Sequence, residues 1–154
     1  MESTTARHYP QMPPLTKEEL VSFLEAMPIA RLATHNPDGT IHVVPVWFKY
    51  VDGVILLGTQ AMTRKVKNVE RDPDVTVLID NQEAPFKGAM IYGTATLDTE
   101  DLIAKRAGIF ARFMPPEDAQ GLAGALAAGY EPAVIRVLPK KIVSWDYSKP
   151  GFLG

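Results

Sequence analysis

The sequence of 154 residues contains no cysteine. This absence excludes disulfide bonds, catalysis by a thiolate and every zinc site built from cysteine ligands. The three histidines, His8, His35 and His42, include no pair with the spacing of metal ligands, so we predict no metal site. A chain without disulfides is typical of a reducing compartment, and we expect a cytoplasmic protein.

Segments that would direct the chain to a membrane or to nucleic acid are missing as well. No apolar run approaches the roughly 18 to 20 residues of a spanning helix. The N-terminus, MESTTARHYPQMPP, lacks the apolar stretch of a secretory signal. The formal net charge of -2 gives no reason to expect binding to nucleic acid or to an anionic membrane. Any anion site must therefore be local.

Motifs of three common enzyme classes are absent from the sequence. There is no G-x-G-x-x-G fingerprint and no Walker sequence, so neither a dinucleotide fold nor a P-loop is expected. Ser22, Ser144 and Ser148 do not lie in a nucleophile elbow. The sequence therefore offers no support for a hydrolase.

The remaining pattern predicts a mainly β protein in one domain. We expect a flexible arm over residues 1–14, a single domain over 15–150 and a short tail over 151–154. A helix begins after Thr16, which forms a capping-box pattern with Glu19, and ends at Pro28. Strands are expected at 29–34, from Thr40 onward, at 53–60, at 74–80, at 88–98 and, as one strand or two, at 133–146.

Three further segments have helical patterns. These are a short helix from Arg64, a helix over roughly 99–114 capped by Thr99, and an alanine-rich stretch at 117–129 that fits either a helix or a loop. Because short turns join most strands and the helices are inserted rather than alternating, we predict a six-stranded antiparallel barrel with peripheral helices. Pro45 lacks an N–H group and belongs at an edge, an end or a bulge, features often found beside binding sites.

The stretch TQAMTRKVKNVERDP, residues 59–73, gathers positive charge at the start of its short helix. Thr63 is expected to cap this helix, and Val66 and Val69 to face the core. The polar residues at helical spacing then share one side: Arg64, Lys67, Asn68 and Arg71.

Two interpretations of this basic helix remain open from its residues alone. One is a solvated face. The other is a phosphate site, because a helix N-terminus carries partial positive charge, and Arg64 and Lys65 are unfavourable there unless an anion is bound. Thr59 and Gln60, which end the preceding strand, can donate hydrogen bonds to such an anion.

Two other stretches also have two interpretations each. HVVPVWFKY, residues 42–50, is either an ordinary half-buried strand or a strand whose backbone lies beside a flat ring. SWDYSKPG, residues 144–151, either places Trp145 in the core or covers a site, which can belong to a second subunit.

Four motifs, in this order, together resemble a known family: RLATHNPDGTIHVVPVWF, GTQAMTRKVKNVERDPDVTVLID, IYGTATL and IVSWDYSK. They resemble the pyridoxamine-phosphate-oxidase-like split-barrel superfamily, most closely its flavin/deazaflavin oxidoreductase branch, over about residues 16–150. The resemblance implies a six-stranded antiparallel split barrel, similar to FMN-binding proteins, that forms a homodimer with two cofactor sites at the subunit interface.

The resemblance also implies site residues. The strand formed by Val43, Val44, Pro45, Val46 and Trp47 would run beside the isoalloxazine ring. Six residues would surround the phosphate and the ribityl chain: Thr59, Gln60, Thr63, Arg64, Lys65 and Asn68. Trp145 would lie close to the site and shape it.

The cofactor and the activity follow from the same resemblance. The basic helix and the ending SWDYSK look most like the F420-dependent branch, and Lys67 or Arg71 could contact the polyglutamate tail of F420. We therefore expect an F420H2-dependent reductase that transfers hydride to a small electron-poor substrate, with no catalytic residue assigned. The alternatives are an FMN-dependent oxidoreductase of the same fold and a non-catalytic flavin or deazaflavin carrier. The fuller substrate motif of pyridoxamine phosphate oxidase is absent from the C-terminus, so that specific activity is not expected.

Overall fold

The computed structural model describes residues 12–150, which form four helices and six strands. The helices are α1 (Lys17–Ala26), α2 (Arg64–Arg71), α3 (Leu102–Phe110) and α4 (Pro116–Gly129). The strands are β1 (Ile29–His35), β2 (Ile41–Val51), β3 (Val54–Gln60), β4 (Asp74–Asp80), β5 (Lys87–Leu97) and β6 (Pro132–Asp146). All pairs are antiparallel, and the strands close a barrel in the order β1-β2-β3-β6-β5-β4. The predicted mainly β, six-stranded barrel is confirmed.

The capping box at the start of α1 is present as predicted. Glu19 N donates to Thr16 Oγ1 at 3.2 Å, and Thr16 N donates to Glu19 Oε1 at 2.9 Å. Lys149 Nζ lies 2.6 Å from the same carboxylate, so the helix start is joined to the chain's C-terminal segment. Asp146 N also donates to Pro13 O at 2.8 Å. The described end of the predicted arm is thus hydrogen-bonded to the end of β6, while residues 1–11 and the tail lie outside the described residues.

The barrel interior is filled by strand residues that alternate inward. Along β1, Ala30, Leu32 and Thr34 are buried while their neighbours are partly accessible. Each fully buried Leu, Ile or Phe side chain contributes about 1.5–3 kcal/mol relative to exposure. The largest completely buried side chains of the barrel are Leu24, Leu32, Phe48, Ile55, Leu57, Ile79, Ile91 and Ile135. Because one face of each strand is buried in this core, only the opposite face can contact a ligand.

The barrel is open along part of the seam between β2 and β3. These strands pair only over Phe48–Val51 and Val54–Leu57. Residues 41–47 of β2 pair with β1, and no other described strand lies on their second side. Pro45 is in this segment, opposite Arg31, so its predicted position at a strand edge is confirmed. We call the opening between residues 41–47 of β2 and residues 58–60 of β3 the split.

Helix α3, between β5 and β6, covers the outer face of β3, and α4 packs against α3. Ile109 of α3 packs with Val54, Leu56 and Val134 in a separate apolar cluster. The prediction that Thr99 caps a helix over 99–114 is wrong. Asp98 N donates to Val134 O, which holds the chain against β6 beyond the end of β5, and the helix begins only at Leu102, after Asp101 in a left-handed conformation.

Two open predictions are decided by the structure. The alanine-rich segment forms the helix α4, and residues 132–146 form one long strand with a register shift opposite Tyr92 and Gly93. Within residues 12–150, no helix is long and apolar enough to cross a membrane.

Candidate functional site

Helix α2 lies at the end of the barrel beside the split. It begins at Arg64, as predicted, directly after β3, and it leads into β4. Thr63 occupies the N-cap position, but its hydroxyl donates to Gln60 O at 2.8 Å instead of accepting from the helix. The predicted capping by the Thr63 side chain is therefore wrong. The first turn has neither a side-chain cap within the described chain nor an acidic residue.

Lys65 is the half-buried cation of this first turn. Burial lowers the pKa of its amine, because the charged form loses solvation. No carboxylate within residues 12–150 forms an ion pair with it. Arg64 next to it is exposed. The start of α2 thus combines free N–H groups with a partly desolvated positive charge, a combination that suits an anion.

Asn68 lies on the side of α2 that carries Arg71, at its buried edge. Its side chain is 0% exposed, and Nδ2 donates to Thr34 Oγ1 at 3.0 Å and to Asn36 Oδ1 at 2.9 Å. Arg71 donates to Asn68 Oδ1 at 3.3 Å and also to the carbonyl of His35. Asn68 and Arg71 thus share one side of α2, as predicted, and the turn between β1 and β2 packs against Asn68 and buries it. These contacts anchor α2 to the barrel.

The other predicted residues of this segment differ in accessibility. Val66 and Val69 are buried, as predicted. Thr59 is buried, with its hydroxyl 3.4 Å from that of Thr63. Gln60 is half-buried, and Lys67 is exposed, 3.9 Å from Glu70 in a long ion pair.

The predicted stretch of β2 presents only alternate side chains to the outside. Val43, Pro45 and Trp47 are exposed on the outer face beside the split. Val46 is buried, and Val44 packs against the barrel core. Any contact of Val44 or Val46 with an outer ligand would be made by the backbone. Exposed backbone at a strand edge can supply such contacts.

Trp145 is separated from α2 within one chain. It pairs with Gly88, and its indole covers this glycine so closely that an added Cβ would lie 2.3 Å from Cζ2. Gly88 pairs with Asp80, the far end of the seven-residue β4, whereas α2 leads into the near end at Asp74. The two ends are about 20 Å apart at the usual strand rise. The structure thus brings the split, Thr59–Lys65 and the exposed side of β2 together, but not Trp145.

Sequence reasoning missed the contribution of α3 to the split. Trp47 packs edge-on against Phe110, with ring centroids 5.4 Å apart, and lies 4.8 Å from Phe113. The guanidinium carbon of Arg106 lies over the Phe110 ring, 5.4 Å from its centre. The spacing of Arg106 and Phe110, four residues apart in a helix, was the available signal.

The start of α2, which has no side-chain cap, and Lys65, which has no ion pair within residues 12–150, fit a cofactor phosphate. A metal ion has no comparable site in the described part of the chain, where no group of three or more His, Asp or Glu side chains is arranged to hold one. The groups at the start of α2, beside the split, suit an anion.

Comparison with protein families identifies the class. Residues 16–127 match the model of the pyridoxamine 5'-phosphate oxidase family, and the chain belongs to this family. The resemblance inferred from the four motifs is confirmed. Comparison with curated proteins gives no significant match.

Solved structures share the fold at low identity. A conserved hypothetical protein from Mycobacterium tuberculosis is 24% identical, with a TM-score of 0.76 over 96% of this chain and 95% of that one. An F420 reductase is 22% identical, with a TM-score of 0.63 over 79% and 94%. The haem storage protein HutZ from Vibrio cholerae is 19% identical, with a TM-score of 0.66 over 85% and 94%. Proteins of different function thus share this barrel.

Proposed function

We propose that the protein binds a flavin-type cofactor with its phosphate at the start of α2 and acts as an oxidoreductase, with F420 as the favoured cofactor and FMN as the alternative. The observation that carries the proposal is the half-buried Lys65, which has no ion pair among the described residues, at a helix N-terminus without a side-chain cap. Burying a charged amine without a partner is unfavourable, and a phosphate would supply both the opposite charge and acceptors for the free N–H groups.

The predicted residues take different parts in this proposal. Arg64, Lys65 and the backbone next to Thr63 would contact the phosphate directly. Asn68 would act by positioning, since its amide groups are already bonded to Thr34 and Asn36 and hold α2 in place. Lys67 is exposed and free to meet the glutamate tail of F420, whereas Arg71 is already bonded to Asn68 and to the backbone of His35.

The ring of the cofactor would lie along the outer side of the split, beside the exposed segment Val43–Trp47. When bound and reduced, such a cofactor supplies a hydride for an electron-poor double bond. The protein would contribute orientation, a dry apolar wall from Trp47, Phe110 and Phe113, and anion binding at α2. Both an F420 reductase and an FAD-binding protein share this fold, so the preference for the deazaflavin rests on the basic residues of α2, which suit the glutamate tail of F420.

A homodimer completes this proposal. Large apolar side chains are exposed on the outer face of the sheet, among them Ile41 (53% exposed) and Val43 (58% exposed) on β2, and Tyr92 and Val143 on β5 and β6. A second copy of the chain is the occupant we propose for this face, since the cofactor site of the family is expected between two subunits. In such a dimer Trp145, which lies far from α2 in its own chain, would shape the site of the partner subunit.

The proposal is tested by preparing the protein in a host that makes FMN but no F420. We expect a colourless preparation that binds added F420 tightly and ignores FMN. It should then oxidise reduced F420 in the presence of an electron-poor substrate. A yellow preparation would identify FMN, not F420, as the cofactor. Tight cofactor binding without turnover over a broad substrate panel would indicate a non-catalytic carrier. Binding of neither cofactor would overturn the proposal.

A further inference from the structure

Arg106 on α3 is buried without the partners that a buried cation needs. The residue is 4% exposed, and two of its guanidinium nitrogens, Nε and Nη1, are buried without a hydrogen-bond acceptor anywhere in residues 12–150. The Phe110 ring, 5.4 Å from the guanidinium carbon, supplies a cation–π contact but no oxygen or nitrogen acceptor for these N–H groups. Burial also lowers the pKa of the Arg106 guanidinium, because the charged form loses solvation.

Arg112, at the end of the same helical segment, shows how a structural arginine is held. It donates to Glu25 O at 2.8 Å, to Met27 O at 2.6 Å and to the carbonyl of Phe48. These bonds connect α1, β2 and the end of α3. Arg106 makes no comparable bonds in the described chain, so the fold does not explain its charge.

The location of Arg106 is the split itself. A Cβ added to Gly58 would lie 3.4 Å from Arg106 Cγ and 3.6 Å from Nε, both ordinary contact distances, so the arginine side chain packs directly against this glycine. Gly58 is the first residue of β3 beyond its pairing with β2, and Trp47 is the corresponding residue of β2. The guanidinium thus lies where the strands separate, beside the apolar wall of Trp47 and Phe110.

We propose that Arg106 binds the carboxylate of a flat, conjugated small molecule that enters the split. A carboxylate supplies acceptors for the unpaired N–H groups and a charge opposite to the guanidinium. The aromatic side chains next to it suit a flat ligand. This molecule would be the substrate of the proposed oxidoreductase. Its binding site is defined by Arg106 and the aromatic side chains without the cofactor, so only its role as a substrate rests on the proposed function.

The binding test uses Trp47 as the reporter. The chain has two tryptophans, so the Trp145→Phe background leaves Trp47 as the single indole next to Phe110. Its fluorescence is titrated with 4-nitrobenzoate and with the matched neutral probe 4-nitrobenzyl alcohol. We expect Arg106→Met to weaken binding of the carboxylate by about 10-fold or more, as for the loss of a charge-assisted hydrogen bond. Binding of the alcohol should change less than about 2-fold.

A stability comparison separates binding from a structural role. Arg106→Met, which keeps the length and apolar packing of the side chain, should leave the ligand-free Tm unchanged or raise it. Arg112→Met should lower the Tm by several degrees, because it leaves carbonyl groups of α1 and β2 without their donor. Arg106→Lys keeps the charge and should retain part of the preference for the carboxylate.

Three results would overturn the inference. These are equal affinity of wild type and Arg106→Met for 4-nitrobenzoate, no saturable binding of that probe to the wild type, and a fall in Tm for Arg106→Met as large as that for Arg112→Met. Each titration is done without cofactor and again with F420 or FMN present. If the wild type binds neither F420 nor FMN, the result counts against the proposed function alone. If it binds F420 normally but does not prefer 4-nitrobenzoate over the alcohol, the result counts against the role of Arg106 alone.

Discussion

The buried side-chain amide of Asn68 on α2 donates a 2.9 Å hydrogen bond to Oδ1 of Asn36 in the turn between β1 and β2. Together with its bond to Thr34, this contact fixes the helix that carries the proposed phosphate site. The position of the free N–H groups of α2 therefore depends on a residue that does not need to contact the ligand.

Replacement of Asn68 by Ala should lower the free energy of unfolding by about 1–3 kcal/mol, because the buried hydroxyl of Thr34 and the partly buried amide of Asn36 lose their partner. Urea denaturation measures the change. Lys67→Ala, on the exposed side of the same helix, is the matched control and should change stability by less than about 0.5 kcal/mol. Equal effects of the two substitutions would show that Asn68 does not anchor the helix.

Glu19 gives a pH dependence whose sign follows from its contacts. The hydrogen bond from Lys149 and those from Thr16 lower the pKa of its carboxyl to about 2. Its charged form is thus favoured by folding, so the contribution is complete above the ordinary pKa of about 4.3 and disappears as the pH falls toward 2. We expect Glu19→Gln to have a lower Tm than wild type at pH 6 and the same Tm near pH 2.

The neighbouring residue provides the control for this pH series. Glu18 lies in the same first turn but has neither the capping-box contact nor the bond to Lys149 within the described chain. Glu18→Gln should therefore show a smaller difference from wild type across the same range. A Tm difference for Glu19→Gln that stays constant from pH 6 to pH 2 would contradict the assignment.

The proposed dimer predicts a change of mass. Wild type should elute at about twice the chain mass of 16.9 kDa in size-exclusion chromatography with light scattering. A lysine at position 43, Val43→Lys, places a charge on the exposed apolar face and should shift the protein toward the monomer. Ile103→Lys, equally accessible on α3 at 47% exposure, should leave the mass unchanged. A monomeric wild type would contradict the proposed dimer.

Local patterns predicted much of the fold. The capping box of Thr16 and Glu19 gave the start of α1, and the turn from Asn36 to Gly39 gave the first hairpin. The period of Val66 and Val69 correctly identified the core side of α2. These features depend on residues that are close in sequence, which is why they can be predicted from sequence alone.

The errors and omissions concern contacts between distant segments. Helical spacing placed Asn68 with the polar residues, but it carries no information about the β1–β2 turn that covers it. The start of α3 follows the bond from Asp98 to the backbone of Val134, and Arg106 packs against Gly58 in another strand. Such long-range packing decides which polar residues are anchors and which are left for a ligand.

The central claim, that the start of α2 holds the phosphate of the cofactor, is tested most directly by the dissociation constant of F420 for wild type and for Lys65→Ala. Binding should weaken by about 10-fold or more, with the Tm unchanged or slightly raised, because the variant loses a half-buried cation that has no ion-pair partner among the described residues. Lys67→Ala should weaken binding less, since its amine is exposed. An unchanged dissociation constant for Lys65→Ala would remove Lys65 from the phosphate site and contradict the account.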